Sequence, residues 1–156
     1  MQSTQTDVLP YPKSTTGRTM PSCPAPLRLG FQTLSRVCPS QAEQLAAWLF
    51  CHPMRGKVTP DEQAILDSGH AFELKSCGHD LAAWSWGDGP TVLLHHGWNG
   101  RAAHMAGFVR PLLDAGFSVV TYDAPAHGES PGRITAMPEM ARVLREVAFR
   151  LGGLHG

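Results

Sequence analysis

Two short apolar runs most constrain what this chain can fold into. One is Thr91-Val-Leu-Leu, running into His95-His96-Gly97-Trp98, and the other is Phe117-Ser-Val-Val-Thr-Tyr122, running into Asp123. Both have strand-like length and composition, and each ends in a polar, glycine-containing loop. Between them, Met105, Phe108, Val109, Leu112 and Leu113 recur at helical spacing after Gly100, and Gly116 closes the pattern. Two apolar strands joined by a helix predict a parallel pair with a right-handed crossover. Ligands of open α/β sheets bind at the carboxyl ends of the strands. Function is therefore expected in the loops His96-Gly97-Trp98 and Asp123–Gly132.

A chain of 156 residues is at most one domain by the length prior. Thirteen basic and thirteen acidic side chains cancel, so no overall field favours nucleic acid or an anionic membrane. No apolar run approaches the length of a membrane span. The start, MQSTQTDVLPYPKSTTGRT, lacks the apolar core of a secretion signal, so a cytoplasmic location is expected. Cys23, Cys38, Cys51 and Cys77 form no C-x-x-C pair and read as reduced thiols.

Residues 1–29, with five prolines between Pro10 and Pro26, read as a disordered or loosely attached tail. Residues 30–70 read as a lead-in of two small helices. The first starts at Ser40 with a Ser40-x-x-Glu43 capping box, carries Leu45, Trp48 and Leu49 as an apolar stripe, and closes at Pro53. The second starts at Thr59-Pro60-Asp61-Glu62, buries Ile65 and Leu66, and stops at Gly69. The alternating run Ala71–Ser76, a Gly78-His79-Asp80 turn and Leu81–Trp86 predict an antiparallel hairpin. Pro111 predicts a kink or break in the helix after Gly100. A last helix carries Met140, Val143, Leu144, Val147, Ala148 and Leu151 on one face and ends at Gly152-Gly153.

Gly97 would let the strand turn sharply and leave the backbone N–H of Trp98 pointing into a cleft. Such an N–H can stabilise an oxyanion. With the second loop, Asp123-Ala-Pro-Ala-His127-Gly128-Glu-Ser130, the pattern resembles the amino-terminal half of an alpha/beta-hydrolase over residues 71–156. In that family a hairpin and an apolar strand lead to His-Gly-x, and the next parallel strand ends in a D-x-x-x-H-G-x-S-type loop. The resemblance implies an α/β fold: a partial alpha/beta-hydrolase sheet, with an antiparallel hairpin followed by parallel strands and crossover helices. It implies that Trp98 contributes a backbone N–H to an oxyanion hole, with His96 and Gly97 shaping its loop. It also implies that Asp123, His127 and Ser130 brace the second loop.

The family's nucleophile elbow, G-x-S-x-G between a strand and a helix, is expected after Leu151, with the acid and catalytic histidine later still. The chain is accordingly read as truncated and not a competent triad hydrolase by itself. Gly128-Glu129-Ser130-Pro131-Gly132 matches the elbow as text. The residue after a nucleophilic serine must offer its backbone N–H, and Pro131 has none, so Ser130 is not read as a nucleophile. A full-length relative would hydrolyse an ester, thioester, amide or similar bond of a small-molecule substrate, without a cofactor. Trp after His-Gly also occurs in epoxide-hydrolase-like members, whose nucleophile is Asp, although Asn99 replaces their usual Pro.

Three other readings compete. A dinucleotide-binding unit would use Asp123 for ribose hydroxyls, but Gly97-Trp98-Asn99-Gly100 is not G-x-G-x-x-G. A metal site from His95, His96, His104 and His127 lacks ligand spacing; His95 is read as strand packing and His104 as helix surface. A non-catalytic binding or assembly module is the third. In the family's sheet the 91–95 strand lies between the 117–122 strand and the elbow strand, so its free edge would invite self-association.

Overall fold

The computed structural model describes residues 24–154, so most of the expected tail, Cys23 and His155 lie outside the described residues. The chain divides into two compact units between Ala42 and Glu43. In the first, helix α1 (Ala25–Val37) starts within the stretch read as tail and was not foreseen. Pro26 falls in its first turn, where a missing N–H costs nothing, so a proline of the expected tail sits in a helix start.

Helix α2 (Pro39–Cys51) begins one residue before the expected cap. Pro39 takes the first helical position and Ser40 falls inside the first turn, so the expected Ser40–Glu43 capping box is replaced by a proline start. Its stripe is not buried: Leu45, Trp48 and Leu49 are 40%, 57% and 52% exposed. Helix α3 (Pro60–Asp67) starts at Thr59 with a complete capping box. The Glu62 N–H donates to Thr59 Oγ1 at 3.3 Å and the Thr59 N–H to Glu62 Oε2 at 2.9 Å.

Strands β1 (His70–Ser76) and β2 (His79–Trp86) pair antiparallel, with Ser76 opposite His79. The turn is Cys77-Gly78, with φ of 49° and 81°, so His79 and Asp80 belong to the strand rather than the turn. Two residues of positive φ match the right-handed twist of the flanking strands.

Strands β3 (Thr91–Leu94) and β4 (Ser118–Tyr122) pair parallel, and β4 also pairs antiparallel with β2, giving the order β1-β2-β4-β3. A 3₁₀ turn (Ala102–Met105) and helix α4 (Ala106–Asp114) make the crossover. The helix runs through Pro111 without breaking. The carbonyl deprived of its partner belongs to Gly107, which is exposed, so the loss is cheap there. Phe108, placed on the apolar stripe by its spacing, is 52% exposed, while Val109 beside it is buried.

The sheet separates two cores. On one face Trp84, Trp86 and Val119 pack with Leu66, Ala102, Ala103 and Val109. On the other, Leu81, Ala83, Tyr122 and Ala124 pack with Met140, Val143 and Val147 of helix α5 (Met137–Leu151). Neighbouring residues of β2 and β4 alternate between these cores, as period-two geometry requires. Among the described residues no helix is long and apolar enough to cross a membrane.

Candidate active site

The loops after β3 and β4 lie side by side at the carboxyl ends of the parallel pair and are tied together by side chains. His96 Nε2 accepts the Ala124 N–H at 2.9 Å, and its other nitrogen, Nδ1, lies 2.8 Å from the Gly97 carbonyl. An acceptor role for Nε2 leaves the proton on Nδ1, so the ring is neutral. His127 is arranged in the same way: Nε2 accepts the Asn99 N–H at 3.2 Å and Nδ1–H donates to the Pro125 carbonyl at 3.0 Å. Each imidazole thus spans both loops. Burial brings the His96 pKa down to about 4 and lowers that of His127, which favours the neutral forms that this bonding needs.

Asp123 is buried at the end of β4. Its Oδ1 accepts the Ala102 N–H at 2.6 Å and its Oδ2 the Glu129 N–H at 2.7 Å, joining the crossover to the far end of its own loop. Burial raises its pKa, and the two N–H bonds oppose that shift without cancelling it. Ser130 is completely buried: its Oγ donates to the Asp123 carbonyl at 2.6 Å and accepts the Ala82 N–H at 3.0 Å. A hydroxyl saturated by backbone groups on both sides is not presented to a substrate.

The turn after β3 differs from expectation. The left-handed residue is Asn99 (φ 57°), while Gly97 has no positive φ and a Cβ there would meet nothing within 4 Å. Asn is among the few non-glycine residues that tolerate that conformation, and here Asn99 Oδ1 accepts the N–H of the distant Met54 at 2.8 Å. Open space therefore lies beside Gly97. The Trp98 ring stacks on Phe50 at 4.8 Å and meets the His127 ring edge-on at 5.3 Å. No hydrogen bond to the Trp98 backbone N–H forms among the described residues.

Several participants carried no sequence signal. Arg55 Nη2 donates to the carbonyls of Ser130 and Gly132 at 2.7 and 2.8 Å, and Arg101 Nη1 to that of Gly56 at 2.7 Å. The lead-in segment 52–56 is thus clamped across both loops. His95 packs its ring against His96 and Tyr122, each at 5.3 Å, while its Nδ1 and the Tyr122 hydroxyl are buried without partners among the described residues. His104 is exposed. Among the described residues no set of three or more His, Cys, Asp or Glu side chains is arranged to hold a metal ion.

The class is an α/β fold whose two parallel strands deliver cross-braced loops to one edge. Residues 90–153 match the profile of the alpha/beta hydrolase fold. Among solved structures, the chain is similar to an epoxide hydrolase from Vigna radiata, at 16% identity and a TM-score of 0.51 over 56% of this chain and 30% of that one. It is also similar to an esterase from Pyrococcus furiosus, at 25% identity and a TM-score of 0.51 over 65% of this chain and 41% of that one. No curated protein matches it. On the paired loops, the sheet order and these similarities, the chain has a partial alpha/beta-hydrolase fold, with residues 90–153 similar to that family. It spans less than half the length of either solved relative.

Proposed function

We propose that this chain supplies the oxyanion side of a hydrolase acting on an ester, thioester, amide or similar bond of a small molecule. The observation that carries this reading is the Trp98 backbone N–H, unpartnered among the described residues, beside the open space at Gly97, in a loop fixed by two neutral histidines. A donor held in place before the reaction stabilises developing negative charge without reorganisation. His96 and His127 act as braces in this reading, and Asp123 and Ser130 hold the second loop. In this reading none of the described residues takes the part of the nucleophile, whether Ser or Asp, of its acid partner or of the catalytic histidine. The coding DNA following the Gly156 codon tests the proposal. A further strand, a nucleophile elbow and a later histidine in any frame are expected. Their absence would remove the hydrolytic reading.

A second reading, a binding or assembly module, is favoured by the edge position of β3. This strand pairs with β4 on one side only among the described residues. Unpaired strand groups recruit another strand. Light scattering separates the readings: a concentration-dependent dimer weakened by Leu93→Lys supports assembly, and a stable monomer opposes it.

A further inference from the structure

A groove of about 640 Å³ lies between the 52–55 segment and the 126–133 loop, lined by Pro53, Arg55, Ala126, Pro131 and Arg133 among others. Two guanidinium groups line it and no carboxylate does. Arg55 is aimed by the Ser130 and Gly132 carbonyls, both of which bond to Nη2, leaving Nη1 and Nε uncommitted among the described residues. Arg133 makes no hydrogen bond or ion pair to the described residues. Arg133 and its neighbours Pro131 and Gly132 are exposed, and all three line the groove.

Two cations in one concavity without a counter-charge form a site that an anion would complete. A guanidinium's planar fork matches carboxylate and phosphate oxygens. Pro53, Ala126 and Pro131 add apolar wall, which suits an organic group next to the charge. We propose that this groove binds the anionic group of a small organic ligand, a carboxylate or a phosphate monoester, through Arg55 and Arg133. The site shares the Asp123–Gly132 loop with the proposed oxyanion side, yet it is read by direct binding. Its failure would leave the hydrolytic reading standing, and the reverse is also true.

The test is calorimetric titration of the whole chain at low salt with phenyl phosphate, with inorganic phosphate and phenol as separate arms. Saturable binding of phenyl phosphate is expected, with none of phenol. Arg133→Ala, at an exposed position without bonds, should keep the circular dichroism spectrum and weaken binding roughly tenfold. Arg55→Lys should weaken it as well, because an ammonium cannot serve both carbonyls and a ligand in the same plane. Equal affinity for inorganic phosphate would overturn the organic part of the assignment. Absent binding, or binding unchanged in both variants, would overturn the site itself.

Discussion

Asp123 and Gly128 fit one another so closely that a Cβ added at Gly128 would lie 1.9 Å from Asp123 Oδ2. The glycine also has φ of +47°, so backbone conformation and contact independently exclude a side chain. The carboxylate cannot yield, because both its oxygens are tied to backbone N–H groups. Gly128→Ala should therefore cost about 3 kcal/mol or more of stability, measured by urea unfolding. A cost below about 1 kcal/mol would show that the loop relaxes freely.

Asp123→Asn tests the same relationship from the other side. An amide offers one acceptor and one donor group to two N–H groups, so one bond becomes a donor–donor clash. A loss of about 2–4 kcal/mol is expected, from one broken charge-assisted bond and one N–H left unpaired in the interior. Denaturant midpoints at constant m-value would report it.

Acid should loosen the braces in a defined window. His96 has a folded pKa of about 4, below its ordinary value of 6.5, so the unfolded chain binds the proton more readily. Its contribution is present above about pH 6.5 and is lost as pH falls toward 4. The full loss is up to about 3 kcal/mol, and His127 adds to it in the same direction. Asp123, whose folded pKa is raised, acts in the opposite sense near the acid end of the window. Urea unfolding between pH 7.5 and 5 should show stability falling with pH, with a shallower slope in His96→Gln.

Val147 is fully buried between α5 and the sheet. Val147→Ala should cost about 1–3 kcal/mol through lost transfer energy and a residual cavity. The same change at Phe149, which is 86% exposed, should cost less than about 0.5 kcal/mol. Thermal midpoints would separate the two.

The sheet and its loops were legible because their signals are local. Alternation sets β1 and β2, apolar runs set β3 and β4, and helical periodicity sets α5, whose Met140, Val143 and Val147 are its buried residues. The Thr59 start was equally plain, since Pro60 and Glu62 both act within one turn. Ser40 misled because Pro39 offered a competing start one residue earlier. The stripe on α2 misled because periodicity reports a potential face but not whether anything covers it. Arg55, Asn99 and Phe50 were invisible as site residues. Their roles depend on contacts with residues tens of positions away, such as Arg55 with Gly132 and Asn99 with Met54.

The central claim is that these residues form the oxyanion side of a hydrolase site and that Ser130, despite its G-x-S-x-G surroundings, is a structural hydroxyl. The most direct measurement offers the purified chain an activated ester and a serine-directed phosphonate probe, alongside Ser130→Ala. No turnover and no labelling of either protein are expected, with Ser130→Ala less stable by about 1–3 kcal/mol through its two lost backbone bonds. Robust turnover that disappears in Ser130→Ala would contradict the account.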